Sequence, residues 1–399
     1  MSRITKQLLL IFLSVSEFFN FVSSNSENSS LKIKELVNNY GYPFEIYHVE
    51  TKDGYILELH RIPYSFRRNQ SEEKKSVVFL KHGLADSSAA FLFAGPNVSL
   101  AYILADKGYD VWLGNHRGNS FSRKHKIYKE TNHKFWNFSL HEIGLYDNTA
   151  MIDYILSKTN QMKLFHVCHS EGCAEFYAMT SLKPEYNDKI SLSINLAPGL
   201  LFGHSTLRTK SFFTLFYIFK DFFDYFGHIK VLDGNLLLRT ITHIFCRPES
   251  YLQFLCDFII NLIYGFDKFN FDPILLHKYL NYYPAGASSK QVMHYASSVL
   301  IFGAFREYDY GKKKNIKVYN ATLPPKYPLD KVTVPVIIYY GDSDNLVTVK
   351  DVEQLLKLVP NLIKKKLIKD YNHIDYFVNK NAGKLIYENV LQIFQNYTK

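Results

Sequence analysis

Short apolar runs recur along the chain and are separated by longer stretches of mixed character. Two strands joined by a turn at Asp53-Gly54 are predicted in 45–64, since Asp-Gly is a typical hairpin turn. In 141–157 the apolar positions recur at the spacing of a helix. Further strands are predicted at 76–80, 109–113, 163–168, 190–196, 334–340 and 366–368, and further helices at 100–107, after Ser170 and at 385–397. Strands that alternate with helices predict an α/β fold with a mainly parallel sheet covered on both faces.

The alternation of strands and helices stops in 199–310. This segment is aromatic and helical in character and shows no strand pattern, so we interpret it as an insertion on top of the sheet. Its part 212–226 holds nine aromatic residues among 15, and a helix apolar nearly all round must be buried or meet lipid. The alternative is that the aromatic residues of 212–226 form a stripe that packs in the protein core. The predicted organisation is a signal peptide (1–24), a first part of the core (25–198), a mostly helical cap or lid (199–310) and a second part of the core (311–399).

The N-terminal residues 1–24 are typical of a secretory signal peptide. Arg3 and Lys6 precede an apolar run at 8–15, and small residues follow at 22–24. A membrane anchor is the alternative, but the uninterrupted run is short for a bilayer span. No other stretch predicts a clean spanning helix, so we expect none in the mature chain. Six Asn-x-Ser/Thr sequons are candidates for glycosylation: Asn28, Asn69, Asn97, Asn137, Asn320 and Asn396.

The composition excludes several broad classes of protein. Hydrophobic residues make up 47% of the 399 residues, which excludes wholesale disorder, and four cysteines are too few for a disulfide scaffold. The net charge is +10, but the lysine runs at 312–314 and 364–366 are local and accompany no nucleic-acid motif. We therefore expect no nucleic-acid partner, while attraction to an anionic lipid surface stays open. Aromatic residues reach 16%, more than an ordinary core uses.

The sequence Cys168-His169-Ser170-Glu171-Gly172 follows a predicted strand and precedes a predicted helix. This is the setting of a nucleophile elbow, a sharp turn that lifts a serine hydroxyl clear of the sheet. Strand and helix pack closely there, so small residues are needed two positions on either side of the serine. Gly172 meets this need, and Cys168 stands where the usual pattern has glycine. An ordinary strand-helix junction is the alternative for the motif alone.

Candidate partners for Ser170 follow in the order serine, acid, histidine that hydrolases with such an elbow use. Asp342 and Asp344 both lie just past the strand at 334–340, and either is a candidate acid. His373 is the only histidine further downstream and follows the last predicted strand. This order predicts that Ser170 attacks an ester carbonyl, that His373 removes its proton and that the acid orients the histidine.

The segment His82-Gly83-Leu84 ends the strand predicted at 76–80. Acyl transfer develops negative charge on the carbonyl oxygen, and two backbone N–H groups usually stabilise it. We expect the N–H groups of Leu84 and Glu171 to fill this role. The alternative for His82-Gly83-Leu84 is that it is a simple turn. The metal-binding spacing His-Glu-x-x-His does not occur in the sequence, and neither a metal nor a cofactor is expected.

Together these residues resemble the acid lipase family, the gastric, lingual and lysosomal acid lipases of the α/β-hydrolase superfamily. The resemblance covers about 41–394, and no single motif is specific. It is carried by Gly41-Tyr42-Pro43, Asp53-Gly54-Tyr55-Ile56-Leu57, Arg61-Ile62-Pro63-Tyr64, His82-Gly83-Leu84, Asp110-Val111-Trp112-Leu113-Gly114-Asn115, Arg117-Gly118-Asn119, Tyr146-Asp147, Leu196-Ala197-Pro198, Tyr283-Pro284-Ala285-Gly286 and Tyr371-Asn372-His373.

The resemblance implies an α/β-hydrolase fold with a lid inside the insertion. It implies hydrolysis of triacylglycerols or sterol esters at an oil or membrane interface. It favours Asp344 as the acid, because the family places an aspartate three residues after the glycine of that loop. It also implies a disulfide between Cys246 and Cys256. Cys168 and Cys173 are expected to be buried free thiols, since they flank the elbow too tightly for a relaxed bridge.

Three positions depart from the family pattern. Cys168 replaces the usual glycine, Glu171 the usual glutamine and His116 the common serine. A carboxylate beside the nucleophile is expected to shift the working pH or weaken activity. A catalytically weak lipid-binding or carrier homologue therefore stays an alternative, as does a carboxylesterase for smaller esters. The signal peptide and sequons predict a secreted, extracellular protein, with the lysosome as the alternative address.

Overall fold

The computed structural model describes residues 26–67, 75–234, 236–266 and 271–398. The predicted signal peptide and the sequon at Asn69 lie outside the described residues. The strands are β1 (Glu45–Glu50), β2 (Tyr55–Ile62), β3 (Val77–Lys81), β4 (Asp110–Gly114), β5 (Lys124–His125), β6 (Leu164–His169), β7 (Ile190–Leu196), β8 (Lys230–Asp233), β9 (Ala285–Ser288), β10 (Val336–Gly341) and β11 (Leu362–Ile368).

Helices connect most of these strands. They are α1 (Ser26–Asn39), α2 (Leu100–Asp106), α3 (Thr149–Thr159), α4 (Glu171–Leu182), α5 (Leu207–Tyr217), α6 (Lys220–Phe226), α7 (Leu236–Phe245), α8 (Gln253–Tyr264), α9 (Pro273–Leu280), α10 (Ser289–Ser297), α11 (Lys312–Tyr319), α12 (Val349–Leu356), α13 (Asp375–Val378) and α14 (Glu388–Thr398). A one-turn helix at Leu140–Glu142 leads into a wider π-helical turn at Ile143–Asn148, which precedes α3. Further π-helical turns follow α10 at Ser298–Phe302 and precede α14 at Gly383–Tyr387. Within the described ranges, no helix combines the length and the apolar character needed to cross a membrane.

The main sheet has the strand order β1-β2-β4-β3-β6-β7-β10-β11, with β5 paired to β2. From β4 to β11 along this order all neighbours are parallel, whereas β1, β2 and β4 pair antiparallel. The predicted α/β fold with a mainly parallel sheet is therefore confirmed. Because the parallel strands point the same way, the loops that follow β3, β6, β10 and β11 meet at one edge of the sheet.

Apolar side chains of the sheet point alternately to two cores. In β3, Val78 and Leu80 join the core that contains residues of α1, α2 and α14. Their neighbours Val77 and Phe79 join the core that contains residues of α3, α4 and α10. Both faces of the central strands are thus covered, which explains why these strands appear in the sequence as short continuous apolar runs.

The predicted insertion 199–310 contains α5 to α10 and is mostly helical, as expected, but it also contains two short strands that the sequence pattern does not reveal. Strands β8 and β9 lie within it and pair antiparallel. The sequence of β9 is Ala-Gly-Ala-Ser, which has no bulky apolar residue and therefore no visible strand pattern. The aromatic part 212–226 forms two helices, α5 and α6, separated at 218–219. The boundaries of the insertion stay a prediction.

Helix α1 is not predicted by the pattern of apolar positions in the sequence. Ile33 and Val37, four residues apart, are fully buried against the sheet, while most of the other side chains of α1 in the described range are polar or exposed. The apolar positions are too few to predict a helix without the tertiary contacts that stabilise it.

Candidate active site

Ser170 lies at the sharp turn between β6 and α4. Its backbone dihedrals are φ 52° and ψ −116°, a sparsely populated conformation that costs a non-glycine residue about 1–3 kcal/mol. The Ser170 N–H donates to the carbonyl oxygen of Leu196 at 2.9 Å, which helps to hold the turn. A Cβ atom on Gly172 would lie 2.5 Å from the carbonyl oxygen of His82, so glycine is required for α4 to approach the strands. The local structure is that of a nucleophile elbow.

The prediction that Cys168 and Cys173 are free thiols is wrong. The structure joins them in a disulfide with their Cα atoms 5.0 Å apart, inside the usual range of roughly 4.4–6.8 Å. The physical reason is the elbow itself, because the chain reverses at Ser170 and brings the first turn of α4 beside the end of β6. Cys246 and Cys256 form a second disulfide, with Cα atoms 5.3 Å apart. All four cysteines lie in the described ranges, and they pair within the chain.

The structure brings Ser170, His373 and Asp344 together. Nε2 of His373 lies 2.8 Å from Oγ of Ser170, and Nδ1 of His373 lies 2.7 Å from Oδ2 of Asp344. Asp344 follows β10 and His373 follows β11, so the three side chains come from neighbouring loops at the carboxyl edge of the sheet. His373 and Asp344 are buried, which shields their hydrogen bond from water.

Of the two candidate acids, Asp344 is the one that contacts His373. Its second oxygen, Oδ1, accepts the backbone N–H groups of Leu346 at 2.8 Å and Val347 at 2.9 Å, which fix the orientation of the carboxylate. Asp342 is exposed, and its Oδ1 accepts the backbone N–H of Asp370 at 2.6 Å. Asp342 therefore stabilises the loop, while Asp344 is placed to orient the histidine.

His373 is held by two residues that the sequence analysis did not single out. Burial, together with the neighbouring His373, keeps the pKa of His169 well below its ordinary value, so the ring of His169 is neutral. Its Nε2–H donates to the carbonyl oxygen of His373 at 2.8 Å. The ring of Tyr264 lies parallel to the ring of His373, with centroids 6.4 Å apart. His169 follows Cys168 in the elbow motif, but the sequence contains no signal for the position of Tyr264.

A cleft with a cavity volume of about 110 Å³, partly open to solvent, reaches Ser170 and His373. Leu84 lines it, and a Cβ atom on Gly83 would lie 3.0 Å from Cβ of Ser170, so the loop after β3 packs directly against the nucleophile. The remaining lining is mostly apolar or aromatic and includes Phe202, Phe212, Phe213, Leu232, Ile263, Tyr279, Tyr283, Tyr295, Leu346 and Val347. Such a lining suits an apolar ligand better than a small polar one.

Glu171 occupies a different environment from its neighbour Ser170. Its side chain is buried below the elbow, and its Oε2 accepts from Nε2 of Gln291 in α10 at 2.6 Å. Burial, with the nearby charge of Glu175, raises the pKa of Glu171 well above its ordinary value. Gln291 and Glu175 are further residues that the sequence analysis did not single out.

Four of the six sequons have an exposed asparagine. Asn97, Asn137, Asn320 and Asn396 are exposed, and the side chain of Asn28 lies outside the described part of α1. Exposure makes these four accessible to a glycosyltransferase. Whether they carry glycans stays a prediction.

Comparison with known proteins supports the resemblance found in the sequence. Residues 33–95 match the family described as a partial alpha/beta-hydrolase lipase region. The chain is 38% identical over 373 residues to Lipase 1 of Drosophila melanogaster, covering 92% of this chain and 80% of that protein. It is 35% identical over 383 residues to gastric triacylglycerol lipase of Homo sapiens, covering 96% of this chain and 95% of that protein.

Among solved structures, the fold is similar to a soluble variant of monoglyceride lipase from Saccharomyces cerevisiae. The TM-score is 0.53 at 17% identity, covering 88% of this chain and 94% of that chain, and this likeness supports the fold alone. The sequence relatives cover nearly the whole chain at more than a third identity. The predicted resemblance is thus confirmed, and the chain belongs to the acid lipase family of carboxylic ester hydrolases in the α/β-hydrolase superfamily.

Proposed function

We propose that this protein is a secretory-pathway serine lipase that hydrolyses neutral lipid esters, triacylglycerols or sterol esters, through Ser170, His373 and Asp344. The observation that carries the proposal is the continuous line of hydrogen bonds from Oγ of Ser170 through His373 to Asp344, at the wall of a mostly apolar cleft. A serine hydroxyl bonded to a histidine that a carboxylate orients is the arrangement of nucleophilic catalysis.

In the proposed acylation step, Oγ of Ser170 attacks the ester carbonyl carbon while Nε2 of His373 takes its proton. The carbonyl oxygen becomes an oxyanion, and the N–H groups of Leu84 and Glu171 are proposed to stabilise it. The tetrahedral intermediate then breaks its bond to the alcohol oxygen, and His373 returns the proton to that leaving group. Asp344 stabilises the imidazolium throughout without accepting a proton.

The proposed deacylation step repeats this chemistry with water. His373 removes a proton from a water molecule, which attacks the acyl carbon attached to Ser170. The second tetrahedral intermediate collapses, the bond to Oγ breaks and His373 reprotonates the serine. The products of one turnover are an alcohol and a fatty acid, and the enzyme returns to its starting state.

Labelling with a serine-directed fluorophosphonate tests the proposed function. We expect the native protein to be labelled and Ser170→Ala to stay unlabelled, because the probe reacts with a serine activated by its histidine. Ser343→Ala, which removes a nearby hydroxyl outside the proposed machinery, is the control and should be labelled like the native protein. Equal labelling of the native protein and Ser170→Ala, or none in either, would contradict the proposed function.

Helix α8 joins an exposed apolar surface to the candidate active site. On its outer side Phe254 is 64% exposed, and Phe258 and Ile259 are each 52% exposed. On its inner side Ile263 lines the cleft, and Tyr264 stacks on His373. Contiguous exposed apolar side chains of this kind mark a surface that meets lipid or protein. We propose that α8 contacts the oil or membrane interface that supplies the substrate.

In the aromatic segment 212–226, some side chains face the cleft or the core and others face solvent. Phe212 and Phe213 line the cleft and Phe223 is buried, whereas Tyr225 and Phe226 are exposed. The lid inferred from the sequence therefore stays a proposal. We propose that the outer side of α8 forms part of the same lipid-contacting surface.

The variant Phe254→Ser/Phe258→Ser separates interfacial binding from chemistry. Burying a large apolar side chain contributes about 1.5–3 kcal/mol. If Phe254 and Phe258 are each partly buried in the lipid interface, their loss should reduce hydrolysis of emulsified triacylglycerol at least about tenfold. Hydrolysis of a soluble short-chain ester should change by less than about twofold, since both side chains lie outside the cleft lining. Met162→Ser, an exposed apolar site before β6 at the opposite edge of the sheet, is the matched control. Equal losses on both substrates would contradict the proposal.

We propose that the protein is secreted, with the lysosome as the alternative. The two disulfides support an oxidising compartment, and the exposed sequons are accessible for glycosylation. Recovery of the protein from culture medium, with a mass that falls on endoglycosidase treatment, checks this address.

A further inference from the structure

Four ionisable side chains form a buried cluster below the nucleophile elbow. Lys81, His116, Glu171 and Glu175 are each no more than 1% exposed, and we call them the elbow cluster. His116 and Glu171 are two of the positions at which the sequence departs from the acid lipase pattern. The two departures therefore lie close together, with ligand atoms of both side chains within 4.8 Å of each other, and a buried polar side chain needs such partners.

Glu175 is the carboxyl group that faces a cation. Burial raises its pKa to about 7, and the neighbouring ammonium of Lys81 opposes this shift and favours the ionised form. Nζ of Lys81 lies 3.1 Å from Oε2 of Glu175, and Nδ1 of His116 lies 3.1 Å from Oε1. Burial and the charge of Lys81 keep the pKa of His116 well below its ordinary value, so the neutral ring donates its Nδ1–H to Glu175. Ligand atoms of His116, Glu171 and Glu175 lie within 4.8 Å of one another, but the ammonium of Lys81 already supplies the positive charge that a metal ion would bring.

Glu171 has hydrogen-bond donors on one side only. The carbonyl Oε1 of Gln291 accepts the backbone N–H of Ser288 at 3.3 Å in a helix capping box, which turns the Gln291 amide nitrogen toward Glu171. That nitrogen donates to Oε2 of Glu171 at 2.6 Å. The other oxygen, Oε1, is buried and has no hydrogen-bond partner among the residues that the structure describes. An ionised Glu171 would thus place a second negative charge beside Glu175, with one ammonium for both.

We propose that Glu171 is a positioning residue that works as a neutral carboxylic acid, linking the start of α4 to α10 through Gln291 while Glu175 carries the single negative charge of the elbow cluster. The proposal rests on the proposed function, because the backbone N–H of Glu171 is the expected oxyanion donor. The side chain of Glu171 would hold that N–H in place by anchoring the first turn of α4 to the cap.

The largest effects on Glu171 favour its neutral form, and the other ionisable groups nearby are neutral or paired elsewhere. Burial and the charge of Glu175 both raise the pKa of Glu171, and the smaller opposing effects come from Gln291 and Lys81. Tyr295 of α10 is uncharged, because burial raises the pKa of its hydroxyl. His82, whose ring centroid lies 4.3 Å from that of His116, is neutral, since burial keeps its pKa well below the ordinary value. Arg117, next to His116, is paired with Asp53 and Asp147.

The sign of the pH effect follows from the direction of this shift. The neutral form of Glu171 is favoured in the folded state, so its contribution to stability is full below the ordinary glutamate pKa of about 4.3 and is lost as the pH rises through the higher folded-state pKa. Activity should fall in the same range, because the second buried charge disturbs the start of α4. Glutamine copies the shape of the neutral acid but cannot ionise.

The test compares the native protein with Glu171→Gln. The pH profile of kcat/KM on a soluble ester is measured for both proteins and normalised to the maximum of each. The fall of kcat/KM on the alkaline side should occur at a pH at least about one unit higher for Glu171→Gln than for the native protein. The melting temperature of Glu171→Gln should also depend less on pH. An infrared difference spectrum at pH about 8, above the pKa of about 7 of Glu175, should show a protonated carboxylic acid band in the native protein that Glu171→Gln lacks.

Glu142→Gln is the matched control. Lys290, His141 and Ser139 lower the pKa of Glu142 to about 2 despite its burial, so its removal should leave the alkaline fall unchanged. The glutamine still fits the capping box that starts at Ser139.

Superimposable profiles for the native protein and Glu171→Gln, with no difference in the carboxylic acid band, would overturn the proposal. The infrared measurement does not need turnover, so it reports on the proton of Glu171 even if fluorophosphonate labelling rejects the proposed function. A lost carboxylic acid band without labelling would reject the lipase mechanism and support the neutral Glu171. Labelling without a shift in pH profile or band would support the lipase mechanism and reject the neutral Glu171.

Discussion

Replacement of His373 by alanine is expected to lower kcat by about a millionfold, the loss that follows removal of the base from a Ser-His-Asp unit. The structure explains the size of this effect, since Nε2 of His373 lies 2.8 Å from Oγ of Ser170 and would take its proton. The walls of the cleft stay in place, so KM for a soluble ester should change much less than kcat. Steady-state kinetics on a soluble short-chain ester measure both constants.

Two controls separate lost chemistry from lost structure in His373→Ala. His48 is a half-exposed histidine of β1, and His48→Ala should retain kcat within about twofold because surface substitutions have small effects. Added imidazole should restore part of the activity of His373→Ala, which a merely misfolded protein would not show. A loss of kcat below about a hundredfold would contradict the role of His373, because general base catalysis alone contributes at least that much.

The elbow and its partners could be predicted because the chemistry that they need leaves a local pattern. Ser170 needs a strand before it, a helix after it and Gly172 two positions on, and all three conditions are visible in the sequence. His373 and Asp344 each follow a strand, and parallel strands bring the loops at their carboxyl ends to one edge. The main sheet was predicted for the same reason, since strands buried on both faces are continuous apolar runs.

The contacts around the elbow could not be predicted because they join residues far apart in the chain. Glu171 and Gln291 are separated by 120 residues, and His169 bonds to a carbonyl oxygen 204 residues away. The disulfide between Cys168 and Cys173 depends on the angle at which α4 leaves β6, which residue types alone do not determine. Strand β9 was missed because Ala-Gly-Ala-Ser pairs through its backbone and has no side-chain signal.

These differences change how the departures from the family pattern are interpreted. In the sequence, Cys168 and Glu171 are reasons to consider a catalytically weak homologue. In the structure, Cys168 is bonded to Cys173, and the buried side chain of Glu171 accepts a hydrogen bond from Gln291. Neither departure displaces Ser170 from hydrogen-bond distance of His373. The structure therefore gives these departures compensating contacts, which favours the lipase over the carrier.

Asp344→Asn is the second substitution with a large expected effect, a fall in kcat of about ten-thousandfold. Oδ1 of residue 344 accepts two backbone N–H groups, from Leu346 and Val347, so an asparagine would keep its oxygen there and turn its amide nitrogen toward His373. Nδ1 of His373 would then have to accept, which moves the ring proton to Nε2. In that tautomer Nε2 donates to Ser170 and cannot take its proton.

Asp342→Asn decides between the two acids that the sequence leaves open. Asp342 is exposed, and the backbone N–H of Asp370 that it accepts needs only an oxygen, which asparagine retains. Asp342→Asn should therefore keep kcat within about threefold of the native value, as expected for an exposed substitution. A larger loss for Asp342→Asn than for Asp344→Asn would mean that the hydrogen bond of 2.7 Å between His373 and Asp344 is not the one that orients the base. Because both variants remove one carboxylate from the same loop, a difference between them isolates the contact with His373 from the overall charge of the site.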